Sequence, residues 1–439
     1  MRLISFCVLF CFATASNLYS QRFTERVFSE IEIENEIVYG NADSWDALFN
    51  GRDFPQDLHF DLYQPPQSDT MAKRPLVLTF FGGAFLRSSS ERPDIIAWCD
   101  SLAHYGYVAA AVNYRLGFNP ALGGSAIGPN TGMKRAAWRA IQDARAAVRY
   151  FKQYHEAYGI DTTQIYLLGN SAGAITALHA AFMNPDEWIP EAGEVGNGPN
   201  NVDLGLLDES TSLEPAHFNH TTDVSAVITL WGATMDLNYI EPTENIPTML
   251  VHGTADNIVP YDEGSAFNFG TGFEITFTLY GSLPIHEHME DLDMTHEFYS
   301  YPNQPHAFYS CGEMSLLELE RDSFPCEYWA PIFYDGIDFL ASVNPYVDEL
   351  TSRADQSLSP EFHVFPNPAI DCIEIKTSFN SGQRHHIEIF NSIGKKVKDI
   401  WTSEISIKLD LSSLPEGMYL IQVSNRNKKT VKKLIVEAG

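Results

Sequence analysis

Basic residues are scarce in this sequence. Its 439 residues hold 28 Lys and Arg against 57 Asp and Glu, a formal net charge of -29, and no Lys or Arg falls between Lys152 and Arg321. A chain so poor in cations cannot neutralise a phosphate backbone, which excludes nucleic acid as a partner. Charge of either sign is sparse: 19% of residues are charged and 44% hydrophobic, which excludes a disordered or coiled-coil chain and supplies a sizeable core. Beyond the N-terminus no run of about 18 apolar residues occurs, so no transmembrane segment is expected.

The charge is unevenly spread. From Phe362 onward 11 basic residues face 8 acids, whereas the chain before it carries 17 against 49. Such a break suggests two modules, residues 16–345 and 362–439, joined by a linker over 346–361 that is rich in Ser, Thr and Asp. Arg2, the apolar run Leu3–Phe12 and the small residues Ala13-Thr14-Ala15 read as a signal peptide over residues 1–15, too short to span a bilayer. Cysteine is rare in the mature chain: Cys99, Cys311, Cys326 and Cys372 remain, none with metal-ligand spacing. In an oxidising compartment Cys311 and Cys326 are near enough to staple one loop as a disulfide, while Cys99 and Cys372 sit in different modules and are expected free.

What is present is an alternation of strands and helices. Arg26–Val38 and Leu58–Gln64 read as half-solvated strands, the first from Ile31, Ile33 and Ile37 set between acids. Pro75–Phe81 is a continuous apolar run suited to a strand buried on both faces. Strands follow at Tyr107–Tyr114, Gln164–Leu168, Ala226–Trp231 and Thr248–His252, with helices at Met133–Tyr158, Ala172–Met183 and Gly281–Met294. This order predicts an α/β fold, a mostly parallel sheet covered by helices, with its ligand site beyond the carboxyl ends of the strands. Residues 184–222, rich in Asn, Gly, Pro and acids, are too long for an ordinary connection and suit a lid or an excursion over that site.

Chemistry concentrates at those strand ends. Gly169-Asn170-Ser171-Ala172-Gly173 follows the strand IYLL and opens a helix, a turn that would lift the Ser171 hydroxyl clear of the sheet. A serine needs a base to take its proton, and the base needs a carboxylate to hold its tautomer. Asp256 follows the strand TMLV, and His306 follows HEFYSYP. His252, His286, His288 and His296 compete as the base, and Asp262 as the acid, though its place after Pro260 suits capping of a helix instead. Acyl transfer also needs donors for an oxyanion, and Phe81-Gly82-Gly83-Ala84-Phe85 ends the strand PLVLTF, so the amides of Gly83 and Ala84, joined by that of Ala172, suit the hole.

Together FGGAF, NYRLG, QDARAAVRYF, GNSAG, HGTADNIVP and PHAF resemble the α/β-hydrolase fold, in its carboxylesterase and lipase branch with an HGGG-type oxyanion loop. The resemblance covers roughly residues 25–342 and implies Ser171 as nucleophile, Asp256 as acid and His306 as base. One departure stands out. Phe81 replaces the usual His and Ala84 the third Gly, changes that keep the backbone donors but reshape the acyl pocket.

The tail opens with Phe365-Pro366-Asn367-Pro368 and runs through short alternating segments typical of a small all-β sandwich. FPNP, FNSIGKKV, SSLPEGMYLIQV and KKTVKKLIV resemble the type A C-terminal sorting domain of type IX secretion. That resemblance implies a Gram-negative cell, the type IX secretion machinery as partner through residues 362–439, and a product released or fixed at the cell surface.

The sequence therefore points to a secreted serine carboxylic-ester hydrolase that needs no metal or organic cofactor. Its substrates would be small or polysaccharide esters, acetyl or feruloyl groups among them. A serine peptidase of the same fold is the alternative, although such exopeptidases usually carry a large domain before the sheet. A non-catalytic surface binding protein is the other, and it would be expected to lack a triad residue.

Overall fold

The computed structural model describes residues 22–45, 53–86, 88–117, 129–187, 189–192, 204–209, 211–265, 277–315, 320–347, 362–377, 385–391, 395–424 and 429–436. The signal peptide and the linker from residue 348 to 361 lie outside them. The chain divides into two compact units, Met1–Leu350 and Thr351–Gly439.

Apolar runs build the first unit from its centre outward. The strands β1 (Glu32–Trp45), β2 (Asp53–Gln64), β3 (Arg74–Phe80), β4 (Val108–Val112), β5 (Ile160–Asn170), β6 (Ala226–Leu230), β7 (Thr248–Gly253) and β8 (His296–Tyr301) form one sheet in the order β1-β2-β4-β3-β5-β6-β7-β8. β1 and β2 are antiparallel and β2 meets β4 antiparallel; every other pair is parallel. Central strands such as β4 and β6 are buried along their whole length, as a sheet covered on both faces requires.

The helices are α1 (Pro93–His104), α2 (Pro129–Gln153), α3 (Ala172–Phe182), α4 (Ser282–Asp291) and α5 (Trp329–Val343). The long helix expected over Met133–Tyr158 stops early, because Tyr154 leaves helical geometry at φ -104° and ψ 21°. A separate turn, His155–Tyr158, then closes on Gly159 at φ 61°, a conformation suited to glycine. The strand expected over Arg26–Val38 runs instead from Glu32 to Trp45, and a shift between Glu34 and Ile37, with Glu36 at φ 56°, breaks its period-two pattern. α5 lies against α1 where Gly336 admits the Trp98 ring; a Cβ there would come within 2.9 Å of it.

The described parts of 184–222 pack on α2, and Thr211 also accepts from Arg115, just past the end of β4. Gln142 Nε2 donates to the carbonyls of Leu204, Gly205 and Leu206, and Asp208 pairs with both Arg145 and Arg149. Residues 188, 193–203 and 210 lie outside the described set. Cys326 is disulfide-bonded, while Cys99 and Cys372 are free. Cys311 opens a strand that pairs with Glu320–Ser323, and its side chain lies outside the description.

In the second unit a three-stranded sheet (Phe362–Phe365, Cys372–Thr377, Ser406–Asp410) and a four-stranded sheet (Lys396–Thr402, His385–Asn391, Gly417–Ser424, Lys429–Val436) share one core. Ile373, Ile375 and Leu409 come from the first sheet and Ile387, Ile389, Ile421 and Val423 from the second, so the inward residues alternate as a sandwich demands.

Candidate active site

β5 passes into α3 through Ser171, which adopts φ 52° and ψ -121°. Left-handed backbone is costly for a residue with a Cβ, so the turn survives only because its surroundings fix it. The Ser171 amide donates to the Leu230 carbonyl at 2.9 Å, and its own carbonyl accepts from Ile175 at 3.0 Å. The flanking glycines permit the close approach: a Cβ at Gly169 would strike the Gly173 carbonyl, and one at Gly173 the Phe80 carbonyl.

The loop after β8 carries His306, and the loop after β7 carries Asp256. His306 Nε2 lies 3.0 Å from Ser171 Oγ, and His306 Nδ1 lies 2.6 Å from Asp256 Oδ2. A carboxylate only accepts, so Nδ1 carries the hydrogen and Nε2 faces the serine hydroxyl with its lone pair. Asp256 Oδ1 accepts from the amides of Ile258 at 2.8 Å and Val259 at 3.0 Å. Burial pushes the Asp256 carboxyl up, but the neighbouring His306 and His252 outweigh it and hold the group well below the usual carboxylate range. Ser171, Asp256 and His306, scattered over the sequence, thus meet at one rim of the sheet.

None of the competing residues takes the place of His306 or Asp256 beside Ser171. His252 contacts Asp256 and does not face Ser171 among its hydrogen bonds. His286 and His296 bond each other at 2.7 Å, and His288 bonds the Ile240 carbonyl. Asp262 caps no helix: it precedes a short strand, Glu263–Ser265, and accepts from the Glu263 amide.

Gly83, Ala84 and Phe85 take φ of 123°, 53° and 60°, a left-handed run that turns the loop after β3 toward the serine. Gly82, Gly83 and Ala84 line a cleft with Ser171 and His306. Among the described residues, the Gly83, Ala84 and Ala172 amides donate to no backbone acceptor outside regular structure. They are the donors that an oxyanion beside Ser171 could use. The Phe81 ring stacks on Tyr114 with centroids 4.4 Å apart, and the Tyr114 hydroxyl donates to the Phe81 carbonyl at 2.6 Å. The aromatic ring therefore anchors the loop from the core side.

Sequence reading passed over Arg92, Asn170, Trp231, Ile258 and Ala307, which complete the described cleft wall. Trp231 follows β6 and packs edge-on against His306, 6.2 Å between centroids. Asn170 Nδ2 donates to Tyr309 at 2.8 Å, and Tyr309 donates to the buried Asp94 at 2.7 Å. A carboxylate that pairs with Arg92 thus backs the residue next to the nucleophile.

Residues 60–244 match the family BD-FAE, and residues 363–437 match the family Secretion system C-terminal sorting domain. The chain joins an α/β-hydrolase-type domain to a sorting domain. The hydrolase-type domain is similar to ethyl acetate hydrolase of Pseudomonas putida, 28% identical over 155 residues that make up 34% of this chain and 42% of that protein. It is also similar to feruloyl esterase B of Talaromyces funiculosus, 23% identical over 229 residues, 50% of this chain and 59% of that protein. Feruloyl esterase B of Talaromyces stipitatus matches at 28% over 128 residues, 28% and 34% of the two chains. The chain thus spans between 34% and 59% of the length of these curated relatives. Among solved structures, propionate-bound esterase 2 of Thermogutta terrifontis aligns with a TM-score of 0.43 at 18% identity, covering 69% of this chain and 94% of that one.

Proposed function

We propose that this chain is a secreted serine carboxylic-ester hydrolase working through an acyl-enzyme, with Ser171 as nucleophile, His306 as base and Asp256 as its orienting acid. The observation that carries this reading is the 3.0 Å contact between Ser171 Oγ and His306 Nε2 at a left-handed strand-to-helix turn. As Ser171 attacks the ester carbonyl, its proton passes to Nε2, and the imidazolium is stabilised by the buried Asp256 carboxylate. The oxyanion forms against the amides of Gly83, Ala84 and Ala172; losing one such donor typically costs on the order of 100-fold in turnover. Collapse returns the proton from Nε2 to the departing alcohol, and water, deprotonated by the same nitrogen, then cleaves the acyl-enzyme.

The names of the relatives, ethyl acetate hydrolase and feruloyl esterase B, favour esters over amides and agree with short-chain acyl, acetyl or feruloyl substrates on small alcohols or polysaccharides. The sorting domain favours export through the type IX machinery to the medium or the cell surface. A panel of p-nitrophenyl esters, acetylated xylan, methyl ferulate and aminoacyl-nitroanilides, run with wild type and Ser171→Ala, tests the proposal. Ester turnover that vanishes in the variant supports it. Nitroanilide cleavage without ester cleavage points to a peptidase, and no turnover at all to a binding protein.

A further inference from the structure

The carboxylate behind His306 is shared by two imidazoles. Asp256 Oδ2 lies 2.6 Å from His306 Nδ1 and 3.2 Å from His252 Nε2. The His252 ring is wholly buried, and its Nε2 also lies 3.3 Å from the Val259 carbonyl. Both oxygens facing Nε2 can only accept, so that nitrogen carries a hydrogen. The other nitrogen, Nδ1, lies 2.8 Å from the hydroxyl of Ser282, the buried first residue of α4. In a neutral ring Nδ1 has a lone pair, and the Ser282 hydroxyl donates to it. Among the described residues, His252 contacts the titratable groups Asp256 and Tyr261, whose ring stands edge-on at 5.7 Å, and shares Asp256 Oδ2 with His306.

We infer that His252 and Ser282 are positioning residues that extend the three-residue relay to five: Ser282 fixes the His252 tautomer, His252 holds the Asp256 carboxylate, and the carboxylate holds His306. The inference rests on the hydrolase reading of Ser171, Asp256 and His306. A fully buried carboxylate must have its lone pairs met by donors, or the charge becomes costly. Ile258 and Val259 satisfy Oδ1, and Oδ2 receives His306 and His252. The second imidazole does two things. It blocks rotation of the carboxylate away from His306, and it withdraws part of the negative charge that would otherwise fall on His306 alone. Loss of His252 therefore loosens the base and makes its protonated form more stable. Turnover falls, and the acid limb of the pH profile moves upward.

The experiment measures kcat, KM and the pH dependence of kcat/KM for p-nitrophenyl acetate with wild type, Ser171→Ala, His252→Leu, His252→Gln and Ser282→Ala. Removal of a hydrogen bond to a charged group predicts a loss of kcat of about 10-fold or more in His252→Leu, with KM little changed. Its acid limb should shift to higher pH, and His252→Gln, which still offers an N–H, should recover most of the loss. A folded His252→Leu with the wild-type kcat and acid limb overturns the inference. If His252→Leu does not fold, Ser282→Ala decides: lower kcat with a raised acid limb supports the relay, and an unchanged profile overturns it. Ser171→Ala separates the two readings. Activity that depends on Ser171 keeps the hydrolase assignment whatever His252 does, and a wild type without ester turnover removes both.

Discussion

The Gly173 Cα lies so close to the Phe80 carbonyl that an added methyl would strike it, which seats the first turn of α3 directly on the end of β3. This contact leaves the chain no room to relax at Ser171, and the serine carries the cost in its φ of 52°. Two substitutions separate the parts. Gly173→Ala forces backbone apart and should lower stability by about 3 kcal/mol or prevent folding. Ser171→Gly and Ser171→Ala lose the same hydroxyl, but only glycine relieves the turn, so the glycine variant should be the more stable by about 1 kcal/mol. Urea unfolding of both variants measures the difference; an alanine variant at least as stable as the glycine one would show that the turn stores no strain.

The Ser171 elbow was legible because a strand, two glycines and a helix sit next to each other in sequence, so local sterics announce the site. Asp256 and His306 could be placed because each follows a strand end, and the sheet rule gathers strand ends on one rim. The fold was read from its apolar runs for the same reason. Helix α1 was not, although Pro93 at its start and the spacing of Ile95, Trp98, Cys99 and Leu102 carry a helical period. α5 was passed over as well, although Asp335, Asp338 and Ser342 recur at three and four and mark a polar face away from the buried Phe333, Ile337 and Leu340. The position of His252 was beyond sequence reasoning, since Ser282 reaches it from a helix that only tertiary packing brings near.

Two of the motifs that marked the sequence meet inside the hydrolase-type unit. Arg115, from NYRLG, directs Nε to both oxygens of Asp143, from the long helix, at 2.9 and 3.0 Å, and its backbone amide adds a third contact at 2.8 Å. Both side chains are buried, so the charges have no water to return to when one is removed. Asp143→Ala should destabilise by about 3–5 kcal/mol because it strands the guanidinium. The paired change Arg115→Met with Asp143→Leu removes both charges and should recover much of that loss. Urea midpoints of wild type and the two variants read the effect. A single variant within about 1 kcal/mol of wild type would mean that the pair is no more than a surface-like contact.

The acidic surroundings of Glu244 predict a pH effect on stability. Burial first, and then the charges of Glu187 and Glu241, push its carboxyl up to about 7, with Arg145 opposing. Its Oε2 is buried and has no hydrogen-bond partner among the described residues. Because the folded chain holds this proton more tightly than the unfolded chain, the stabilising contribution is complete below the ordinary carboxylate value of about 4.3 and is lost as pH rises through the folded value. Glu244→Gln keeps the shape and removes the titration. Thermal unfolding between about pH 5 and 8 should show a wild-type Tm that declines toward the alkaline end, and a shallower decline in the variant. Glu187, whose carboxyl is also raised by burial and by neighbouring acids, contributes a remainder of the same sign, so the slope is reduced rather than abolished. Parallel slopes in the two proteins would show that Glu244 is already ionised in the fold.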